Sequence, residues 1–157
     1  MVKPINIDIV FYDIPNHGRF GGVRKHDIHT GVDIYCGDNE QIYSIEKGIV
    51  IGIFDFTGPN VDTPWWEDTK AIMIEGESGV ILYGETYEPL LKVGDEVSEG
   101  QQIGNVKRVL KKDKGLPMTM LHIELYKHGY RGDGEVWINE KPTELLNIEE
   151  ILQKIYC

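Results

Sequence analysis

The chain has few cysteines, and their scarcity excludes a fold held together by disulfides. Its two cysteines, Cys36 and the terminal Cys157, are too few for a disulfide framework. We expect no bridge between them, because Cys157 stands at a chain end. A length of 157 residues is enough to bury a hydrophobic core without disulfides or a structural metal. We therefore predict a single domain over residues 1–157.

Basic residues are also scarce. The chain has 16 Lys and Arg against 26 Asp and Glu, which gives a formal net charge of -10. Binding to nucleic acid depends on many contacts between Lys or Arg and phosphates, so this composition argues against nucleic acid as a partner. The acidity identifies no other partner, because a net charge far from zero also serves simply to keep a protein soluble.

A long hydrophobic run is missing as well. No stretch approaches the roughly 18 uninterrupted apolar residues that a membrane-spanning helix needs. Asp8 breaks the apolar run near the start, so the sequence shows no apolar core of signal-peptide length. We expect no membrane span and a protein that is cytoplasmic as synthesised. Delivery by a phage, or by another export route, is equally compatible with the sequence.

The residues that are present favour a β-rich domain with many loops. The chain contains 18 Gly and 7 Pro, and 41% of its residues are hydrophobic. Short runs rich in Ile, Val and Tyr recur between glycines, at a spacing typical of a meandering antiparallel sheet. Residues 56–69 and 129–141 look irregular and hold the tryptophans. The predicted strands cover residues 5–12, 41–45, 48–54, 71–75, 79–83, 102–106 and 121–126.

An apolar stripe at helical spacing predicts a helical C-terminal extension over about residues 142–156. The stripe follows Pro142 and consists of Leu145, Leu146, Ile148, Ile151, Leu152 and Ile155. Asn147 and the acidic pair that follows Ile148 could start a second helix. One helix and two short helices therefore both fit the pattern.

Two short segments carry the residues with the most chemistry. Residues 29–33 are His-Thr-Gly-Val-Asp, and residues 121–124 are Leu-His-Ile-Glu. Together they offer two imidazoles and a carboxylate, a common ligand set of hydrolytic zinc sites in which the fourth position is left for water. The side chains of His29, Asp33 and His122 could therefore converge on one divalent metal.

The first segment needs a bend to serve a metal. In a straight strand His29 and Asp33 would lie about 13 Å apart at ~3.3 Å per residue, too far for ligand bonds of about 2 Å. A bend at Thr30–Gly31 would bring them together, because glycine accepts unusual dihedral angles and leaves space between the ligands. Without other evidence, a His and an Asp in a turn are more often an ordinary hydrogen-bonded pair. In the second segment strand alternation separates His122 from its apolar neighbours and places it on a polar face.

Further segments stand in a fixed order around these two motifs. They are residues 18–24 (Gly-Arg-Phe-Gly-Gly-Val-Arg), 45–50 (Ile-Glu-Lys-Gly-Ile-Val), 81–84 (Ile-Leu-Tyr-Gly), 93–97 (Val-Gly-Asp-Glu-Val) and 100–104 (Gly-Gln-Gln-Ile-Gly). The ordered set resembles the LytM or lysostaphin-type zinc metallopeptidases, which cut peptide crosslinks of the cell wall. An ordered set is far more specific than any one motif, and this one covers roughly residues 17–126.

The resemblance implies a mostly β, LytM-like domain of the barrel-sandwich type, built on an antiparallel sheet with long loops. Its core would span about residues 17–126, and the C-terminal helix would follow it. The resemblance also implies Zn²⁺ as the cofactor, with His29, Asp33 and His122 as its ligands. The implied partner is a peptide or a peptidoglycan-derived ligand.

Both auxiliary histidines of that family are replaced here. Met120 stands at the first His of the family's His-x-His, and Glu85 stands at the His after the tyrosine of its Tyr-x-His strand. Met120 cannot transfer a proton, whereas Glu85 can. Glu85 either replaces the missing imidazole as the general base or is a solvated residue in a site that lost its activity.

Two functions stay open on this basis. The first is a zinc metallopeptidase that hydrolyses peptide bonds of cell-wall peptides through zinc-bound water. The second is a catalytically degenerate LytM-like domain that acts as a binding or regulatory module. A third hypothesis, a biotinyl or lipoyl carrier with a similar hairpin at residues 93–104, is disfavoured because no Lys stands in a suitable turn.

Other residues near the motifs receive weaker predictions. The resemblance gives Arg24 a structural role, orienting a carboxylate or a carbonyl near the site. Trp65 and Trp66 either cap the groove and stack on a ligand or fill the core end of a long loop. Three further histidines are expected at the surface: His17, His26 and His128.

Overall fold

Antiparallel strands make up most of the structure, a computed structural model in which residues 1–111 and 119–157 are described. The strands are β1 (Val32–Tyr35), β2 (Gln41–Tyr43), β3 (Gly48–Thr57), β4 (Thr69–Gly76), β5 (Gly79–Thr86), β6 (Glu96–Val97), β7 (Gln102–Asn105), β8 (Met120–Tyr126) and β9 (Leu145–Leu146). An α-helix, α1 (Glu149–Tyr156), follows β9, and two short 3-10 helices, Phe11–Asp13 and Asn16–Gly18, precede β1. None of the helices in the described residues has the length and apolar content to cross a membrane.

The topology of the main sheet brings distant parts of the chain together. This sheet has seven strands in the order β1-β8-β5-β4-β3-β6, with β9 also paired to β8. Strands β3, β4 and β5 follow one another as hairpins, whereas β8 enters between β1 and β5. Strands β2 and β7 form a separate two-stranded sheet. The insertion of β8 places its side chains beside those of β1 and β5, which is the arrangement that builds the site.

Both faces of the sheet are covered around β8. On one face Leu121, Ile123 and Leu125 join the main hydrophobic core. On the other face Leu82 and Tyr126 belong to a second apolar cluster. His122 and Glu124 share this second face and are only 7% and 2% exposed. The expected polar face of β8 is therefore buried, which changes the chemistry available to its side chains.

The mostly β fold with an antiparallel sheet and a C-terminal helix is confirmed, but residues 5–12 are not a strand. Ile5 and Phe11 are buried in the main core, and the Phe11–Asp13 turn follows them. The segment satisfies its hydrophobic pattern by packing, without pairing to an edge of the sheet.

The predicted helical extension over about 142–156 is also wrong in its first half. Leu145 and Leu146 form β9 and pair with Tyr126 and Leu125. The helix begins only at Glu149, whose backbone N–H donates to the side-chain Oδ1 of Asn147 at 2.9 Å. Helical spacing of apolar residues did not reveal β9, because the strand depends on a free edge of β8.

Candidate metal centre

The His-x-Gly-x-Asp segment bends just before β1, and this brings His29 and Asp33 together. The bend falls at Gly31, and His29 Nε2 lies 3.2 Å from Asp33 Oδ1. Glycine is required here by space, because a Cβ at position 31 would lie 2.1 Å from the carbonyl oxygen of Ile123 on β8. The predicted bend at Thr30–Gly31 is confirmed, and the close approach of β8 is the structural reason for glycine at position 31.

Strand pairing adds His122 to this pair. In the antiparallel register of β1 and β8, Asp33 lies opposite His122. His122 Nδ1 lies 2.8 Å from Asp33 Oδ1 and 3.1 Å from His29 Nε2. One candidate ligand atom from each of the three residues lies within 4.8 Å of the others, and all three residues are buried. We call this trio the His-Asp-His group, and it could bind a metal ion.

Each imidazole of the His-Asp-His group is oriented by a hydrogen bond from its other nitrogen. The Nδ1–H of His29 donates to the carbonyl oxygen of Arg19 at 3.1 Å. The Nε2–H of His122 donates to Glu124 Oε2 at 3.1 Å. The nitrogens on the other ring edges, His29 Nε2 and His122 Nδ1, both face Asp33 Oδ1, and in the metal-free site His122 Nδ1–H donates to that oxygen at 2.8 Å. Such outer partners are the usual means by which proteins fix the tautomer and ring orientation of a metal-binding His.

Arg24 orients the carboxylate of the His-Asp-His group. Its Nη2 donates to Asp33 Oδ2 at 3.0 Å, on the oxygen that faces away from the two rings. The same guanidinium donates to the carbonyl oxygen of His17 at 2.7 and 3.0 Å. The expected contact of Arg24 with a carboxylate near the site is confirmed, and its structural role stays a prediction.

The charges in the His-Asp-His group favour one protonation pattern. Burial opposes the charged form of Asp33, but hydrogen bonds from His122 and His29 outweigh burial and lower the pKa of Asp33. Burial likewise opposes the charged form of His122, yet hydrogen bonds to Asp33 and Glu124 raise its pKa to about 10. Burial lowers the pKa of His29. Because metal ligands must be deprotonated, an ion that binds here would release a proton.

Glu124 is a site residue to which the sequence analysis assigned no role. Besides the ring of His122, its Oε2 accepts from Thr30 Oγ1 at 2.5 Å, and its Oε1 accepts from the hydroxyl of Tyr126 at 2.9 Å. Burial raises the pKa of the carboxyl, but the hydrogen bond and charge of His122 outweigh this and lower it. The available sequence signal was a spacing of two from His122 in a strand, which puts both side chains on one face.

Glu85 stands on a β-bulge in β5. The register between β4 and β5 shifts so that Glu85 falls between the partners of Lys70 and Ala71. Its φ is +67°, a left-handed conformation that is costly for a residue other than glycine. Its Oε2 is enclosed and has no hydrogen-bond partner among the described residues, and burial followed by the charge of Asp33 raises the pKa of Glu85 to about 8. The structure thus brings Glu85 to the cavity that the His-Asp-His group lines.

A cavity of about 480 Å³ opens over the His-Asp-His group and Glu85. Phe56 stacks on the ring of His122, with 5.6 Å between the ring centroids. Gly84 permits this packing, because a Cβ there would lie 2.8 Å from the Phe56 ring. The polar floor is therefore enclosed by apolar walls, formed by Ile28, Phe56, Trp66, Val109, Leu110, Met120, Val136 and Trp137.

Two groups of weaker predictions have mixed outcomes. Trp66 is half-buried and lines the cavity, whereas Trp65 is 62% exposed, so neither fills the core.

Surface positions are confirmed for three histidines, but one of them also lines the rim of the cavity. That residue is His17, whose Nε2 lies 3.3 Å from the hydroxyl of Tyr35.

Solved structures share this fold, and three bacterial examples show it. CbpA from L. salivarius REN has a TM-score of 0.56 and 14% identity, with 89% of this chain and 86% of that chain covered. A point mutant of the catalytic domain of EnpA, a prophage-encoded M23 protein of Enterococcus faecalis, has a TM-score of 0.54 and 22% identity, covering 80% and 85%. A Pseudomonas aeruginosa protein assigned to peptidase M23 has a TM-score of 0.50 and 17% identity. The match covers 78% of this chain but only 43% of the Pseudomonas chain, so this chain spans less than half of that protein.

A family model gives the relationship at the level of sequence. The model described as Peptidase family M23 matches residues 27–134, a range that contains the whole His-Asp-His group and Glu85. No curated protein matches this chain. The model spans more than half of the chain and agrees with the folds of the M23 structures. The LytM-type resemblance is therefore confirmed, and the chain belongs to peptidase family M23.

Proposed function

We propose that the protein is a zinc-dependent peptidase that hydrolyses peptide bonds of cell-wall peptides, with Glu85 as its general base. His29 Nε2, Asp33 Oδ1 and His122 Nδ1 would hold the zinc ion. When bound, zinc supplies Lewis acidity toward water and toward the substrate carbonyl. Membership of family M23 supports peptidase chemistry, and the His-Asp-His group supports the use of a metal.

The donor set fits a zinc ion. Two imidazole nitrogens and one carboxylate oxygen are ligands of hydrolytic zinc sites, and they leave a position open for a reactant. Ligand atoms bonded at about 2.0–2.1 Å to a tetrahedral ion lie about 3.3 Å from one another. The three donor atoms are separated by 2.8, 3.1 and 3.2 Å. A small contraction, of the kind that hydrogen bonding among free ligands produces, accounts for the difference.

The observation that carries the base assignment is the buried Oε2 of Glu85, which has no hydrogen-bond partner within the described part of the chain and belongs to a residue on a strained bulge. A left-handed backbone at a non-glycine residue and a buried polar atom without a partner each cost about 1–3 kcal/mol. A solvated glutamate would carry neither cost. Such features persist at functional sites, where the geometry serves a purpose other than stability. Glu85 would accept a proton from the attacking water and return it to the leaving amine.

The electrostatics of Glu85 are compatible with this role. Burial and Asp33 raise the pKa of Glu85 to about 8, so the carboxyl is mostly protonated at neutral pH in the metal-free protein. A positive charge nearby favours the ionised form of a carboxyl and lowers its pKa. With a divalent cation in the His-Asp-His group, Glu85 would titrate nearer to neutrality, where a general base works best.

Met120 favours a second candidate function, that of a binding module without turnover. Its side chain lines the cavity and lies on the same strand as His122. A thioether cannot donate or accept a proton at the substrate. A domain with the metal group and the cleft, but without a working acid and base, would bind peptides and leave them intact.

The experiment compares the zinc-loaded wild type with Glu85→Gln and Glu88→Gln on peptidoglycan-derived peptides. Glu88→Gln removes the same charge from an exposed position three residues away and serves as the control. We expect Glu85→Gln to lower kcat about 10²- to 10⁴-fold with unchanged zinc content, and Glu88→Gln to match the wild type. Equal activity of all three proteins would exclude Glu85 as the base. Peptide binding without cleavage by the wild type would establish the binding module.

The proposed working unit is one domain over residues 1–157. Ile5 near one end and Leu152 in α1 are both buried in the main core. The C-terminal helix is thereby joined to the sheet, and Arg19 also forms an ion pair with Glu149 at 2.8 Å. A protein of this function must meet the cell wall, and we propose delivery by a phage or by another export route.

A further inference from the structure

We propose that Glu124 is a positioning residue for His122, and that it sets the affinity of the His-Asp-His group for a metal ion. The inference rests on the proposed metal site and adds to it a residue outside the ligand set. Glu124 would orient the His122 ring, and a measurement of metal affinity tests this without any measurement of peptide cleavage.

Glu124 lies on the opposite edge of the His122 ring from the proposed ion. His122 Nδ1 faces Asp33 and His29, whereas Nε2 donates to Glu124 Oε2 at 3.1 Å. The two nitrogens of an imidazole direct their bonds away from each other, so one ion cannot contact both Nδ1 and Glu124. Glu124 therefore acts through the ring, and it is absent from the set of residues whose donor atoms converge.

The carboxylate of Glu124 is held in place by donors on both oxygens. Thr30 Oγ1 donates to Oε2, and the hydroxyl of Tyr126 donates to Oε1 at 2.9 Å. The Tyr126 hydroxyl in turn accepts from the backbone N–H of Glu135 at 2.9 Å. The Tyr126 ring stacks on Tyr130 with 3.9 Å between centroids, which immobilises the hydroxyl. The acceptor that faces His122 is consequently rigid.

A rigid acceptor at Nε2 has two consequences for the metal. It keeps a proton on Nε2, so the nitrogen that becomes available to an ion when the ring loses a proton is Nδ1. It also places a negative charge behind the ring, and this raises the basicity of the ligating nitrogen. Phe56 covers one face of the same ring. The His122 ring is therefore held by Glu124 at one edge and by Phe56 on one face.

The test measures Zn²⁺ affinity by competition with a chromophoric chelator, and the visible absorption of the Co²⁺-loaded proteins. The variants are Glu124→Gln and Thr30→Val, with Glu75→Gln as the control. Glu75 is a carboxylate paired with Arg131 at 3.0 Å, away from the cleft. We expect Glu124→Gln to weaken Zn²⁺ binding about 10- to 100-fold and to change the Co²⁺ absorption bands, because outer partners of this kind have such effects. Thr30→Val should weaken binding less, and Glu75→Gln should match the wild type.

Equal Zn²⁺ affinity and an equal Co²⁺ spectrum for the wild type and Glu124→Gln would overturn the inference and leave the proposed function intact. A wild type that binds neither ion would overturn both. Urea unfolding of the metal-free variants separates positioning from general damage to the fold. If Glu124→Gln fails to fold, Thr30→Val decides alone, and unchanged Zn²⁺ affinity in that variant counts against the inference.

Discussion

Two glutamates lie near His122, and they differ in how their carboxylate oxygens are hydrogen-bonded. Glu124 is saturated with donors, and the hydrogen bond from His122 outweighs burial and lowers its pKa. Glu85 stands on a strained bulge with an unpartnered oxygen, and burial raises its pKa to about 8. A satisfied carboxylate is suited to holding a neighbour in place. An unsatisfied carboxylate is suited to exchanging a proton, so the hydrogen-bond inventory separates two roles that the residue type alone does not distinguish.

Removal of the His122 ring should have the largest effect. We expect His122→Ala to lose zinc, with an affinity loss greater than the roughly 100-fold that follows removal of an outer partner. His17→Ala is the matched control, because His17 lines the same cavity but does not belong to the His-Asp-His group. Zinc content after dialysis, measured by elemental analysis, distinguishes the two variants. One retained equivalent in His122→Ala would contradict the assignment of this ligand.

The unsatisfied carboxyl should also make the stability of the metal-free protein depend on pH. The pKa of Glu85 rises from 4.5 to about 8 on folding, so the native state holds its proton more tightly than the unfolded state does. The buried, protonated carboxyl contributes its full stabilisation below pH 4.5, the pKa of Glu85 in the unfolded state. That contribution is lost as pH rises through about 8, the pKa in the folded state. The loss amounts to at most about 1.4 kcal/mol for each unit of pKa difference.

Glu85→Gln isolates this contribution. We expect the wild type to lose more unfolding free energy than Glu85→Gln between about pH 5 and about pH 8, measured by urea denaturation with a chelator present. All other titrating groups are common to the two proteins, so their effects cancel in the comparison. An equal loss in both proteins would show that Glu85 is not protonated by burial.

A smaller effect is expected at Gly31, where the segment before β1 packs closely against β8. A Cβ at Gly31 would meet the Ile123 carbonyl oxygen at 2.1 Å and the Glu124 side chain at 2.9 Å. Gly31→Ala should therefore cost about 1–3 kcal/mol of stability and weaken metal binding. Gly37→Ala is the control, because none of the described residues lies within 4 Å of its added Cβ. Denaturant midpoints and Zn²⁺ titrations of the two variants test this contrast, and similar midpoints would refute it.

Relief of strain at the bulge should have the smallest effect, with the opposite sign. Glu85→Gly removes a left-handed non-glycine residue and an unpartnered oxygen, so we expect a gain of about 1 kcal/mol in the unfolding free energy. Glu88→Gly, at an exposed position nearby, should instead lose about 0.5 kcal/mol through backbone entropy. Urea denaturation compares both with the wild type. A loss in Glu85→Gly would mean that the bulge is not strained.

Part of the fold could be predicted because strand propensity is local. The runs that became β3, β4 and β5 are rich in Ile and Val, and a short turn joins β4 to β5. Residues 5–12 were wrongly predicted to be a strand, and β9 was missed, because strand formation depends on a free partner edge, which the local pattern does not show. The bulge at Glu85 could not be predicted for the same reason, since it is a register shift that depends on how β4 pairs with β5.

The sequence by itself determined the family, the residue types offered to a metal, and the substitutions at Met120 and Glu85. Only the tertiary structure decided which side chains face one another and how their hydrogen bonds are completed. Asp33 and His122 meet because β8 pairs with β1, and the same pairing brings Thr30 to Glu124, whose other oxygen accepts from Tyr126 on β8 itself. Burial and hydrogen bonding together then set the charge of each carboxyl, because both are properties of the assembled site.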